Sequence, residues 1–133
     1  MSANDLNLPP LPTQPTSLEA LLKAGVHTVR LTWVDHTNTI RYRAVPIRHF
    51  IRTARNALPG ITMTSVTPAL VHNTVPSSFG STGEVRLAPD MTSAVLVPYA
   101  PGHASVMGFF EEKDKKARAN GLCPRGLLRS VLE

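Results

Sequence analysis

The sequence predicts an α+β fold, and three observations lead to it. Apolar and polar residues alternate from position 27 to 34 and again from 40 to 44, and only a strand places such alternate residues on opposite faces. Between positions 47 and 58 the apolar residues recur at helical spacing. Further extended segments follow as far as residue 110. A mixed sheet with one packed helix, as in β-grasp folds, is the arrangement that we predict, and other α+β arrangements remain open.

The chain begins with a segment that is too rich in proline for a helix or a sheet. Residues 1–16 are therefore predicted to form a flexible, extended arm. Ser17 follows as a helix cap with Glu19 in the first turn, and the apolar stripe behind it ends at Gly25. These residues predict a short amphipathic helix.

A hairpin and a helix are predicted next. Val29, Leu31 and Trp33 share one face of the first strand, and the segment 35–38 supplies turn-forming side chains. On the return strand, Ile40, Tyr42 and Ala44 are expected to face the core and Arg41 and Arg43 to point outward. Pro46 then begins a helix, which contains Phe50 and ends at residues 58–60. Trp33 and Phe50 are predicted to be buried core residues, and for Trp33 this interpretation is preferred to a ligand platform.

The second half of the chain alternates between irregular and extended segments. Residues 65–82 are predicted to form a long loop of the kind that is functional or disordered. Strands are expected at 84–87, 94–97 and 104–110. Asp90 is expected in a turn, where its carboxylate would accept nearby backbone N–H groups, and Arg86 is expected as a cross-strand or solvent-facing partner. A last helix begins at Pro124.

Composition restricts the function classes. The chain has 133 residues, enough for one domain, and no apolar run approaches the roughly 20 residues of a membrane span. The net charge is +5, and most of the excess lies between positions 23 and 55. No zinc-finger spacing or RNA-binding signature accompanies these bases, so a solvated basic face is preferred to nucleic-acid binding. The single cysteine excludes an internal disulfide bond.

The sequence predicts no catalytic, cofactor or metal site in this chain. The five histidines lack the close spacing of a zinc site, although a pair of them could meet Asp35 or Asp90 in space. Cys123 precedes a proline and is interpreted as a small buried residue at a helix start. The segment 80–83 contains two glycines but no following lysine, so it is interpreted as a turn and not as a phosphate-binding loop.

Five blocks of sequence, in order, carry a resemblance to a known family. They are Val29–Asp35, Tyr42–Pro46, Gly83–Asp90, Val97–Gly102 and Cys123–Arg125. Together they resemble the amino-terminal β-grasp domain of the glutamine synthetases. The resemblance is greatest to the glutamine synthetase-like branch that includes fungal forms and gamma-glutamylpolyamine synthetases. It covers residues 26–133.

The resemblance implies a cytoplasmic, ATP-dependent carboxylate–amine ligase of nitrogen metabolism, which forms glutamine from glutamate and ammonium. In that family magnesium and ATP bind in a large carboxy-terminal domain, so this chain is expected to be inactive alone. Residues 17–120 would form the β-grasp domain, and residues 121–133 the start of a truncated catalytic-domain helix. The partner would be a second copy or a glutamine synthetase-type catalytic domain in an oligomer, because the small domain packs against the next subunit and closes one side of its active site.

In this family the loop after the third strand reaches the neighbouring active site, and typical bacterial members carry an ammonium-binding aspartate there. This chain has no acid between positions 61 and 82, so that role is not carried over and the amine remains open. The candidate interface residues are all polar: Ser65, Thr67, Asn73, Ser77 and Ser78. The alternative is a stand-alone β-grasp interaction module whose sheet and basic hairpin bind a protein or an anionic ligand.

Overall fold

The computed structural model of the protein describes residues 15–64, 67, 83–116 and 123–133. The helices are α1 (Leu18–Lys23), α2 (Ile47–Ala54) and α3 (Pro124–Leu132). The strands are β1 (Thr28–Val34), β2 (Ile40–Pro46), β3 (Ile61–Thr64), β4 (Glu84–Leu96) and β5 (His103–Glu112). Most of the predicted arm and of the predicted 65–82 loop lies outside the described residues. No helix in the described part is long and apolar enough to cross a membrane.

The strands form one mixed sheet in the order β2-β1-β5-β4-β3. The central pair, β1 and β5, is parallel, and the β1–β2, β4–β5 and β3–β4 pairs are antiparallel. A parallel pair needs a long crossover connection, and here β2, α2, β3 and β4 lie between the two strands along the chain. The predicted α+β class with a mixed, β-grasp-like sheet is confirmed.

The core lies between one face of the sheet and the first two helices. Val29 and Leu31 of β1 are fully buried, as is Leu21 of α1. Trp33 is 6% exposed and Phe50 of α2 is 1% exposed, so the predicted burial of both side chains is confirmed. Alternate residues of β5 complete the core and are also buried: Ala104, Val106 and Phe110.

Local hydrogen bonds and backbone conformation account for the ends of the first two helices. The Ser17 hydroxyl accepts a hydrogen bond from the backbone N–H of Ala20 at 3.1 Å, and Gly25 has a φ of 76°, a left-handed value that favours glycine. The second helix ends at Ala54, earlier than the predicted residue 58. There the Thr53 hydroxyl donates to the carbonyls of His49 and Phe50, which offers the backbone an alternative to a further helical turn.

The faces of β2 are opposite to the prediction. Arg41 lies directly across from Trp33, and Arg43 lies across from Leu31, so the two arginines share the core face. Ile40 is 73% exposed and Tyr42 is 54% exposed on the other face. The prediction that the arginines point outward was therefore wrong. An edge strand tolerates this arrangement because the stem of Arg41 can lie along the core while its guanidinium reaches Asp35 at 2.6 Å, and the side chain of Arg43 stays exposed at the edge of the sheet.

The expected turn at Asp90 is also corrected. β4 runs without a break from residue 84 to 96, and the irregularity is a register shift between Asp90 and Val95 in its pairing with β5. A bulge of this kind leaves residues unpaired without ending the strand. Arg86 on the same strand is 4% exposed and binds Glu111 of β5, so it is a buried cross-strand partner and not a solvent-facing residue.

Candidate interaction surface

Of the predicted interface residues, the structure describes only Thr67. It is buried, and its hydroxyl lies 3.1 Å from the hydroxyl of Thr64 at the end of β3. The other four, Ser65, Asn73, Ser77 and Ser78, lie outside the described residues. Thr67 therefore bonds within its own domain.

One accessible surface is the face of the sheet opposite the core, which we call the open face. Register places Thr32 across from Tyr42 on one side and from Met107 on the other, and Arg30 across from Ser105. The hydroxyls of Thr32 and Ser105 lie 3.0 Å apart across the parallel pair. The open face consists of these residues with their neighbours: Ile40, Val95, Tyr99 and His103.

Arg30 is the centre of the open face. Its guanidinium carbon lies 5.1 Å from the ring centroid of Tyr42 and 5.5 Å from that of Tyr99, within the range of cation–π attraction. The guanidinium also donates to the Tyr99 hydroxyl and to Nδ1 of His103, both at 3.3 Å. No carboxylate of the described residues pairs with Arg30. The cluster therefore holds a cation that is oriented and uncompensated between two exposed tyrosines.

His103 takes part in this cluster as a neutral ring. Burial lowers its pKa below the usual value, and the nearby charges of Arg30 and His27 lower it further. The rings of His27 and His103 meet edge to face with centroids 5.3 Å apart. Because Nδ1 accepts from Arg30, the proton of the neutral ring resides on Nε2.

A second accessible surface, which is apolar, lies on α3. Four of its side chains are between 60% and 78% exposed: Leu127, Leu128, Val131 and Leu132. The opposite side of the helix is fastened at its start. Cys123 is 5% exposed, and its sulfur accepts hydrogen bonds from the backbone N–H groups of Phe110 at 3.3 Å and Gly126 at 3.2 Å. The sequence interpretation of Cys123 as a buried residue at a helix start is confirmed.

Arg125 and Asp90 fasten the same helix to the sheet. The guanidinium of Arg125 lies 2.6 Å from the Asp90 carboxylate and 4.1 Å above the ring of Phe109. Asp90 also accepts from the N–H of Thr92 at 3.1 Å and from its hydroxyl at 2.6 Å. Burial alone would raise the pKa of Asp90, but these hydrogen bonds and the Arg125 charge lower it below the usual value. Asp90 is thus a charged anchor for α3.

The Arg30 cluster and the Asp90–Arg125 pair were not predicted from the sequence. The only signal for the first was the alternation in β1, which places Arg30 and Thr32 on the face away from the core. For the second there was no signal, because the two residues are 35 positions apart. Among the described residues, no three His, Cys, Asp or Glu side chains are grouped so that they could hold a metal ion.

The fold and these surfaces define a small β-grasp-like domain with two accessible surfaces, the open face around Arg30 and the apolar outer side of α3. Three solved structures resemble it: a GmaS–ADP complex and an apo GmaS without ligand, each with a TM-score of 0.67 and 20% identity, and a novel glutamine synthase homolog, with 0.63 and 26%. The match covers 86%, 86% and 79% of this chain, but only 24%, 24% and 25% of theirs. No family model and no curated protein matches the sequence. The resemblance to the glutamine synthetase family is confirmed at the level of the fold, and the chain spans about a quarter of the length of these structures.

Proposed function

We propose that this chain is the amino-terminal β-grasp domain of a glutamine synthetase-like ligase, which joins glutamate to ammonium or to an amine at the expense of ATP. Its role is to pack against a catalytic domain of that type in an oligomer and to close one side of a neighbouring active site. Magnesium and ATP would bind to the catalytic domain, in the cytoplasm. The observation that carries the proposal is the pair of accessible surfaces, the open face around Arg30 and the apolar outer side of α3.

The outer side of α3 supports packing against a partner. Helices shorter than about 12 residues are marginal in water unless they pack, and α3 has nine residues. Contiguous exposed apolar side chains of this kind mark interaction surfaces in soluble proteins. A partner that covers Leu128 and Val131 would bury apolar area on a helix whose first turn is already fastened to the sheet through Cys123 and Arg125.

The open face supports the same role through a different chemistry. Tyrosine and arginine are enriched at the centres of protein interfaces, and Arg30 lies between Tyr42 and Tyr99 with no acidic partner in the described part of the chain. We expect a carboxylate of the partner to oppose Arg30. The similar solved structures are about four times as long as the part of them that this chain matches. We therefore expect the partner to be a catalytic domain of the glutamine synthetase type.

Association with a separately produced catalytic domain of a glutamine synthetase-like ligase tests the proposal. Light scattering after size exclusion would report the mass of the chain alone and of the mixture. We expect a complex whose formation is abolished by Val131→Glu on α3 and weakened by Tyr99→Ala on the open face. The matched control is Arg48→Ala, an exposed residue of α2 away from both surfaces. A chain that stays monomeric with every such catalytic domain would contradict the proposal.

A stand-alone module that binds an anionic partner is the second candidate. It is supported by Arg43, Arg48 and Arg52, which are exposed on β2 and α2 and form no ion pair with the other described residues. Binding through such a face would weaken strongly with salt. Titration with poly-glutamate, with Arg48→Glu as the test variant and Tyr99→Ala as its control, would favour this candidate if only the arginine variant lost binding.

A further inference from the structure

β2 forms one edge of the sheet, because β1 is its only neighbour among the described strands. Two backbone hydrogen bonds at the ends of the β1–β2 pair fix which of its N–H groups face β1. At one end the N–H of Asp35 donates to the carbonyl of Thr39 at 3.0 Å. At the other end the N–H of Ile47 donates to the carbonyl of His27 at 2.9 Å. Both bonds fit one register, in which every second pair of residues is hydrogen-bonded.

This register turns the backbone groups of Tyr42 and Ala44 outward. Their pairs with β1 are the non-hydrogen-bonded ones, so the N–H and C=O groups of both residues point away from that strand. Both residues are exposed, and no other described strand pairs with this side of β2. An edge with free N–H and C=O groups is a template for a further strand.

A groove lies beside this edge, on the side of the sheet that carries α2. Its volume is about 450 Å³, and its walls come from β2, from α2 and from the start of β3. Arg43, His49 and Thr53 contribute polar or basic groups, and none of the lining residues is acidic. Arg43 is exposed and forms no ion pair with the other described residues. The side chains of a strand added to β2 would alternate between this groove and the open face.

The charge of the edge indicates which strand fits it. In an added antiparallel strand, the residue across from Arg43 belongs to a non-hydrogen-bonded pair, in which the two side chains lie closest together. An acidic residue at that position would pair with Arg43. The β2 strand of a second copy, paired along its full length, would instead place Arg43 across from Arg43, and like charges in such a pair are destabilising.

We propose that β2 binds an acidic segment of a partner protein as a sixth, antiparallel strand. The backbone of the segment bonds to the outward N–H and C=O groups of Tyr42 and Ala44, and its acidic side chains point into the groove toward Arg43. This inference rests on the second candidate function above, for which it names the partner and the mode of binding. The α3 surface takes no part in it.

Two methylated isomers of one peptide test the added strand. The parent probe is the blocked, fluorescein-labelled hexapeptide Thr-Val-Glu-Val-Glu-Thr, and its binding to the 133-residue chain is followed by fluorescence anisotropy in about 0.15 M salt. With the glutamates toward the groove, the valine N–H groups face β2 and the glutamate N–H groups face water. Methylation of both valine nitrogens should therefore weaken binding about tenfold or more, and methylation of both glutamate nitrogens should change it less than about twofold. Equal affinities of the two isomers, or no saturable binding of the parent peptide, would overturn the proposal.

Two variants of the chain test the backbone edge and the charge separately. Ala44→Pro removes an outward N–H that makes no bond to β1, and proline is tolerated on edge strands, so we expect the urea unfolding of this variant to be unchanged and its peptide binding about tenfold weaker. Arg43→Glu should also weaken binding about tenfold. The matched control is Arg48→Glu, which makes the same change of charge outside the groove and should bind the peptide within about twofold of the original chain. Equal losses in the two glutamate variants would overturn the proposal, even if the proline variant failed to fold.

Poly-glutamate separates this inference from the candidate function on which it rests. If the chain binds poly-glutamate but does not distinguish the two methylated isomers, the anion-binding candidate stands and the added strand is overturned. If neither poly-glutamate nor the parent hexapeptide binds, both fail. Binding of the hexapeptide with the expected difference between the isomers supports both.

Discussion

Replacement of Asp35 by asparagine should destabilise the domain by an amount that depends on pH. Asp35 is 2% exposed at the end of β1. One carboxylate oxygen accepts from the backbone N–H of Thr37 at 2.9 Å, from its hydroxyl at 2.6 Å and from the N–H of Thr39 at 3.0 Å. The other oxygen lies 2.6 Å from Nε of Arg41. The hairpin turn is therefore built around one buried negative charge.

The magnitude follows from the pKa of this carboxyl group. Burial alone would raise the pKa, but the hydrogen bonds from Thr37, Arg41 and Thr39 outweigh it and lower the pKa from 3.8 to about 2. Each unit of pKa difference between the folded and unfolded chain corresponds to about 1.4 kcal/mol, so the ionised group contributes about 2.5 kcal/mol at neutral pH. Because the folded pKa is the lower one, this contribution is complete well above pH 3.8 and is lost as the pH falls toward 2.

Urea unfolding followed by Trp33 fluorescence would measure the effect. We expect Asp35→Asn to lower the free energy of unfolding by about 2.5 kcal/mol at pH 7, and the difference from the unmodified chain to shrink between pH 4 and pH 2. Asp114→Asn, at an exposed position of the 113–116 turn, is the control and should change stability by less than about 0.5 kcal/mol. A difference that stayed constant with pH, or an asparagine variant as stable as the original at pH 7, would refute the reasoning.

Three further substitutions test the core, the faces of β2 and the α3 anchor. Trp33→Ala should cost about 3–5 kcal/mol of unfolding free energy in the same urea assay, because it opens a cavity beside Phe110. Ile40→Lys should change stability by less than about 0.5 kcal/mol, since the side chain is already in water; a loss of several kcal/mol would restore the prediction that Ile40 faces the core. Cys123→Ala leaves the N–H groups of Phe110 and Gly126 without their shared acceptor and should lower the free energy of unfolding by about 1–3 kcal/mol. In the unmodified chain, the buried thiol should react with a disulfide reagent only as fast as the chain unfolds.

The β1–β2 hairpin shows what the periodicity of the sequence predicts and what it leaves open. The pattern of β1 was interpreted correctly because its apolar set, Val29, Leu31 and Trp33, has only one face to bury. In β2 the alternation is equally regular, but periodicity alone does not state which set faces the core. The turn decides this: the loop around Asp35 fixes the register and places Arg41 across from Trp33. Tyr42 is thereby placed on the open face.

Contacts between distant parts of the chain account for the remaining differences. Asp90 does accept the N–H of Thr92, as expected of a residue after proline, yet the strand continues through it. Pro89 lies across from Gly108 and Asp90 across from Met107 in the β4–β5 pair, and the irregular pairing begins after Asp90. Whether such a segment turns or bulges depends on the partner strand, which local sequence does not encode. The buried position of Arg86 likewise depends on its ion pair with Glu111, which lies 25 positions away in the sequence.

The anchoring of α3 shows why its apolar side is exposed. In a helix that packs within its own domain, the apolar stripe faces the core and the polar side faces water. In α3 the first turn is fastened instead by the thiol of Cys123 and by the guanidinium of Arg125, which binds Asp90 and covers Phe109. These contacts fix the rotation of the helix, and that rotation leaves Leu128 and its neighbours in water. Specific polar contacts therefore hold an apolar stripe in an exposed position that the domain alone does not require. The Arg30 cluster, which contains two tyrosines, is also open to solvent. A partner that covers either surface can stabilise this arrangement.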